Sequence, residues 1–246
     1  MDGIRRFGIA DACGIICLFW VSVFAATPVQ ADEQGTSPAP SRQNLLENGG
    51  FESWCKLDPN TARQAEAAGL RLEPAGSAPA GWLPCRETYK GQQPTATLAL
   101  DEKVKHSGNR SVRIENRDMR DITYVRYSTE RFTARLEDPR NLRPNRRYAI
   151  RWWVRGQAID AAGTGPILMM HIYSTMEGKT YGTPASEEMS LPKGTFDWQP
   201  REFVFITDPY ARWITFTLQL RWTTGTVWYD DVELVDLGAV VNVETY

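Results

Sequence analysis

Tyr148-Ala149-Ile150-Arg151-Trp152-Trp153-Val154-Arg155-Gly156 alternates with a period of two. Tyr148, Ile150, Trp152 and Val154 fall on one apolar side, and Arg151, Trp153 and Arg155 on the other. Successive side chains of a strand point to opposite faces, so this is the pattern of a half-buried β-strand. Trp213–Trp222 repeats it, with Ile214, Phe216, Leu218, Leu220 and Trp222 expected inward and Thr215, Thr217, Gln219 and Arg221 outward. In Ile167–Ser174, Leu168, Met170 and Ile172 oppose Met169, His171 and Tyr173, on a strand apolar on both sides.

Working outward, further short alternating stretches lie at Thr95–Leu100, Ser111–Asn116, Ile122–Phe132, Gln199–Ile206 and Thr226–Leu237, separated by Gly, Pro, Asn and Asp. About eight such strands with turn signals between them predict an all-β fold, a β-sandwich jelly roll rather than an α/β fold. No internal repeat is visible.

The composition agrees. The 246 residues suffice for one large domain, and 42% hydrophobic with 24% charged residues is ordinary for a globular protein. A formal net charge of −2 gives no general electrostatic case for nucleic acid. The basic residues are mostly Arg, whose planar fork suits carboxylates and aromatic faces. Nine each of Trp, Tyr and Phe against two His favour stacking surfaces over histidine-based metal chemistry.

Arg5 and Arg6 precede the short apolar run Gly14–Ala26, and Val29-Gln30-Ala31 suits a signal peptidase. Residues 1–31 are therefore expected to be a Sec-type signal peptide, so that the mature chain is secreted or periplasmic and has no membrane span. Cys13 and Cys17 leave with it. Residues 32–43, with Pro38 and Pro40, read as a linker, residues 44–238 as the domain and residues 239–246 as a C-terminal tail.

The mature chain keeps Cys55 and Cys85. An exported protein with two thiols is expected to pair them, closing a proline-rich excursion after the first strand that has helix-forming residues for one helical turn. Such a disulfide would stabilise the fold by roughly 3–4 kcal/mol in the chain-entropy view.

Five motifs follow one another: Asn44-Leu45-Leu46-Glu47-Asn48-Gly49-Gly50-Phe51-Glu52, Pro79-Ala80-Gly81-Trp82, Lys105-His106-Ser107-Gly108-Asn109-Arg110-Ser111-Val112-Arg113-Ile114, the Tyr148–Gly156 strand, and Thr226-Val227-Trp228-Tyr229-Asp230-Asp231-Val232-Glu233-Leu234. In this order they resemble the carbohydrate-binding modules of the family four, nine and twenty-two type, galactose-binding-like jelly rolls. The resemblance runs from about Asn44 to Leu237. It implies a structural calcium joining the first strand to the last through Glu52 and Asp230, with the carbonyls of Gly50 and Lys105. Calcium accepts such mixed oxygens. From the residues alone, Trp228, Val232 and Leu234 put Asp230 on the inward side, where a carboxylate needs a cation or several donors. An Asp230–Arg pair, or Asp230 accepting backbone N–H groups in a turn, would serve as well. Asp231 takes the metal instead if the register differs by one residue.

An outward face carrying Trp153, Arg151, Arg155, His171, Tyr173, Gln219 and Arg221 is the expected glycan platform. Sugars offer a C–H face and a ring of hydroxyls, which flat aromatics and fork-like donors match. The expected ligand is a polysaccharide, with acidic glycans preferred because of the arginines. Catalysis is not expected. There is no Gly-x-Ser-x-Gly or His-Glu-x-x-His, Asp230 and Asp231 point to opposite faces, and Glu187-Glu188 reads as a solvated loop. Two other readings remain open: a structural or interaction protein on the same scaffold without a sugar site, and, further off, a polysaccharide hydrolase or lyase.

Overall fold

The computed structural model describes residues 43–87, 96–129, 138, 140–184 and 192–240. The expected signal peptide, the linker before Gln43, Glu187-Glu188 and the tail beyond Val240 lie outside these residues. Strands β1 (Trp54–Lys56), β2 (Leu70–Glu73), β3 (Ser77–Pro79), β4 (Leu83–Glu87), β5 (Ala96–Asp101), β6 (Ser111–Asn116) and β7 (Ile122–Ser128) come first, with helix α1 (Pro59–Ala67) after β1. Then follow β8 (Arg146–Ile159), β9 (Gly165–Met176), β10 (Lys179–Pro184), β11 (Gly194–Ile206), β12 (Ala211–Arg221) and β13 (Gly225–Ala239). The eight stretches read from alternation are β5 to β9 and β11 to β13.

Two sheets stack. One has six strands in the order β11-β8-β13-β6-β5-β2, and the other five in the order β10-β9-β12-β7-β4; β1 and β3 form a separate ribbon. Only β2 pairs parallel, against β5. From β6 onward the chain crosses between the sheets at every connection except β9 to β10. The facing sides supply one core: Tyr148, Ile150, Trp152 and Val154 from β8, Ile214, Phe216, Leu218 and Leu220 from β12, and Leu168, Met170 and Ile172 from β9. All of these follow the alternation of the sequence.

Three expectations are corrected. Trp222 does not face inward. The strand ends at Arg221, Trp222 takes a left-handed backbone (φ 45°), and its ring is 43% exposed. The excursion holds a nine-residue helix rather than a single turn, because Asp58 caps it by accepting from Asn60 N (3.0 Å) and Thr61 N (3.1 Å), and Pro59 suits the first position. Cys55 and Cys85 are both free thiols. Cys55 pairs across the β1–β3 ribbon with Ala78, whereas Cys85 pairs with Tyr124 in the five-stranded sheet, so different sheets hold the two residues. Arg86 does the closing instead. Its buried guanidinium donates to the carbonyls of Ala68 and Gly69 (both 2.8 Å) at the end of the helix, and to Asp121 Oδ1 (2.6 Å).

Candidate functional site

The outer face of the five-stranded sheet carries a groove. The register sets its rows. Trp213 stands opposite Tyr173, Thr215 lies between His171 and Ser128, Thr217 between Met169 and Arg126, and Gln219 faces Tyr124. Two depressions share Arg126, Tyr173 and Thr215, one of about 300 Å³ and the next of about 250 Å³. They make one continuous furrow that runs along β12, flanked by β9 and β7.

Its aromatic wall is flat. Tyr173 and Trp213 stack with ring centroids 5.1 Å apart and planes 9° apart, and His171 lies 6.3 Å from Tyr173. Opposite stands Tyr124, whose hydroxyl donates to Glu87 Oε1 (3.2 Å). Burial, with Cys85 and Glu87 beside it, raises the Tyr124 pKa well above the ordinary phenol value, so its proton stays. Burial likewise raises the neighbouring Cys85 thiol.

Gln219 is the informative polar group. Only 5% of it is exposed, and Nε2 donates to Thr217 Oγ1 (2.6 Å), while Oε1 has no hydrogen-bond partner. A buried unmet acceptor costs about 1–3 kcal/mol, which an incoming hydroxyl donor recovers. Arg221 Nη1 rests on Met169 Sδ (3.0 Å), its guanidinium lies over the Trp222 ring at 4.1 Å, and its buried Nε has no partner. His171, Tyr173, Gln219 and Arg221 are thus brought together. Tyr124, Arg126 and Trp213, which sequence reasoning missed, join them. Trp213 and Arg126 alternate correctly with their buried neighbours, so period two was the available signal.

Trp153, Arg151 and Arg155 do not join them. They project from β8 on the outer face of the other sheet, so the expected platform divides between opposite sides of the sandwich. There the Trp153 ring is covered: His106 stacks on it at 3.7 Å and 15°, with Trp198 edge-on to the imidazole at 5.8 Å. Arg151 pairs with Glu202 at 2.5 Å, and Arg155 lies 3.8 Å from Asp197 and over Trp228. A depression of about 610 Å³ adjoins Trp153, but its walls mix Arg151 and Arg201 with Glu202, Asp231 and Glu233. It is larger than the groove, yet its aromatic face is occupied and its charges oppose one another.

The loop over Trp153 is pinned by carboxylates. Asp230 faces outward, opposite Trp153, not inward. The register of β13 shifts between Asp230 and Glu233, and Asp231 adopts φ 47°, so the parity flips: Val227 and Tyr229 face the core before the bulge, Val232 and Leu234 after it. Asp230 is 1% exposed beneath the loop, accepting from His106 N (2.9 Å), Ser107 N (3.2 Å) and its neighbour Asp231 N (2.8 Å). Burial pushes its pKa up to about 6 against the pull of the His106 N–H, and the Asp231 charge adds to the rise. Asp231 binds His106 Nδ1 (2.6 Å) and Ser107 Oγ (2.7 Å). Glu52 Oε1 accepts from Asn109 N (2.7 Å) and Arg110 N (3.2 Å). A Cβ on Gly108 would stand 2.1 Å from that oxygen, and one on Gly49 would stand 1.9 Å from Val232 O, so both close approaches require glycine. Asp230 is therefore satisfied as an acceptor of backbone N–H groups, one of the alternatives the sequence leaves open, and Lys105 and Gly50 flank the same place. Ser107 and His106 both bond Asp231 rather than each other, which is not the arrangement of a nucleophile and its base.

No protein-family profile and no curated protein matches the sequence. Among solved structures, the chain is similar to the CBM22-1 xylan-binding domain of Paenibacillus barcinonensis Xyn10C (11% identity, TM-score 0.41, covering 65% of this chain and 88% of that one). It is also similar to TmCBM61 in complex with β-1,4-galactotriose (15%, 0.39, 79% and 99%). A third similar structure is the enzymatically active domain of bacteriophage CBA120 tailspike protein 4 (10%, 0.49), where the match covers 79% of this chain but only 21% of that one. The xylan and galactotriose of those names are ligands of those proteins.

Proposed function

We propose that the domain is an exported, non-catalytic polysaccharide-binding module whose glycan lies in the groove of the five-stranded sheet. The observation that carries this is a furrow with the parallel Tyr173–Trp213 pair towards one end and the buried, unmet Gln219 oxygen towards the other. Flat rings match the C–H face of a sugar, and a buried acceptor farther along the same furrow takes a hydroxyl of another sugar residue. Export rests on the apolar run after Arg5 and Arg6 and the small residue at Ala31. Affinity electrophoresis through gels carrying a panel of polysaccharides tests binding. Tyr173→Ala and Trp213→Ala should each weaken retention roughly thirtyfold, as removal of an aromatic anchor worth about 2 kcal/mol does, with an unchanged circular dichroism spectrum. Retention by no member of the panel would leave the scaffold reading in its place.

Calcium at Glu52 and Asp230, with the Gly50 and Lys105 carbonyls, is the narrower part of the proposal. A carboxylate has about four lone-pair sites, and the hydrogen bonds above use three on Asp230. The support is that Glu52, Asp230 and Asp231 each bond the same loop; against it, no three acidic, His or Cys side chains among the described residues are grouped to hold a metal, and backbone N–H groups already satisfy Asp230. If calcium binds, it raises stability by about 2.7 kcal/mol at a hundredfold excess over Kd. A chelator should then lower the melting temperature, and Asp230→Ala should abolish that sensitivity. A melt indifferent to chelator in metal-stripped protein would remove calcium from the proposal.

A further inference from the structure

The arginines of the two outer faces differ in one respect. On the six-stranded sheet, Arg113 pairs with Glu73, Arg151 with Glu202 and Arg155 with Asp197. In the groove, Arg126 and Arg221 have no ion pair among the described residues. Arg221 is nevertheless held in place. Met169 Sδ takes Nη1 and the Trp222 ring supports the guanidinium plane, leaving Nη2 without a bond and Nε buried and unmet. Trp222 reaches this position through a left-handed backbone that a bulky residue rarely adopts. Arg126 stands exposed on β7 where the two depressions meet. Among the described residues the groove has one carboxylate, Glu87, and it accepts from the Tyr124 hydroxyl.

We infer that the groove selects uronate-bearing polysaccharides, with Arg126 and Arg221 each receiving a sugar carboxylate; this rests on the reading of the groove as a glycan site. A guanidinium held by packing loses little freedom on binding, and its planar fork matches a carboxylate. Arg126 lies across from Thr217, and Arg221 stands four residues farther along the same strand. At about 3.4 Å per residue their backbone positions are roughly 14 Å apart along the furrow. That separation exceeds one sugar ring, so the two arginines meet carboxylates on different residues of one chain, and a polymer binds where a free uronic acid does not. The arginines that first suggested an acidic ligand, Arg151 and Arg155, are paired with carboxylates on the opposite face, whereas Arg126 and Arg221 have no such pair among the described residues.

The test uses polygalacturonate, alginate and glucuronoxylan, each beside its carboxyl-reduced counterpart, with affinities measured at about 0.05 M and about 0.5 M NaCl, between which screening rises steeply. At least one native polymer should bind about tenfold or more tightly than its reduced form and weaken at the higher salt. Arg126→Gln and Arg221→Gln should each remove most of that preference while leaving residual binding to the reduced polymer. Arg221→Lys, which keeps the charge, should retain the salt dependence and weaken affinity. Arg63→Gln, the same charge change on the exposed helix, should alter nothing; a loss equal to that of Arg126→Gln would assign the attraction to overall charge and overturn the inference. Equal, salt-independent binding of native and reduced polymers would also overturn it, while the groove kept its role for neutral glycans. Binding of no native or reduced polymer, and of no neutral glycan in the wider panel, would instead remove the glycan site itself.

Discussion

Trp153 and His106 stack at 3.7 Å above a buried Asp230, which binds the loop through its backbone. A ring stacked by a loop residue holds that loop in place. Trp153→Ala should therefore cost about 1–3 kcal/mol in urea unfolding, by the loss of packing and of an aromatic pair. Polysaccharide retention should stay unchanged. Lost retention in a variant of undiminished stability would return the glycan to this face. The sequence shows that Trp153 points away from the core, which is correct, because alternation reports the side of the strand. What covers the ring is invisible to alternation, since His106 comes from a loop 47 positions earlier. The parity flip at Asp230–Asp231 was hidden for a related reason. A bulge adds one residue without any change in composition, so an inward reading of Asp230 drawn from Val232 and Leu234 fails two residues earlier.

At the scale of elements, the long strands were legible and the short ones were not. β8, β9, β12 and β13 are 11 to 15 residues long, so alternation develops in each, interrupted in β13 by the bulge at Asp230–Asp231. β1, β3 and β4 have three to five residues, and β3 and β4 carry prolines, so no period develops. The helical excursion is joined to the sheet by Arg86, next to the cysteine expected to do so. The Arg86–Asp121 pair is fully buried, 2.6 Å long, and links the end of α1 to the start of β7. Removing one partner of such a pair strands a charge in a dry site. Asp121→Ala should thus destabilise the domain by about 3–5 kcal/mol in denaturant melts, whereas a reducing agent should leave the wild-type melt unmoved. The edge strand β11 shows a different economy. Thirteen residues long, it carries Pro200 and two register irregularities, which discourage a further strand from pairing with it.

Across the whole molecule, the sandwich was readable but the allocation of strands to sheets was not. β8 and β9 are consecutive and both alternate, so their outward residues were placed on one platform; yet β8 lies beside β13 and β9 beside β12, on opposite sides of the core. Alternation separates inside from outside and says nothing of which outside. The groove residues that did come together share β9 and β12, whose pairing register brings Trp213 to Tyr173.

The position of β13 has a consequence for how the domain comes into being. It is the last strand of the domain, yet it lies in the middle of the six-stranded sheet, joining β8 on one side to β6 on the other. The opening segment depends on it too: Asn44 bonds the backbone of Val232 and Leu234, and Leu45 N donates to Leu234 O at 2.8 Å. Until Gly225–Ala239 has been synthesised, the β11–β8 pair and the β6–β5–β2 group have nothing between them, and the first residues of the domain have nowhere to dock. Pairings between segments so far apart in sequence make closure slow, on the millisecond-to-second scale. A nascent chain here emerges with two unfinished sheet edges and an uncovered core, and it must be shielded from aggregation until its final strand arrives.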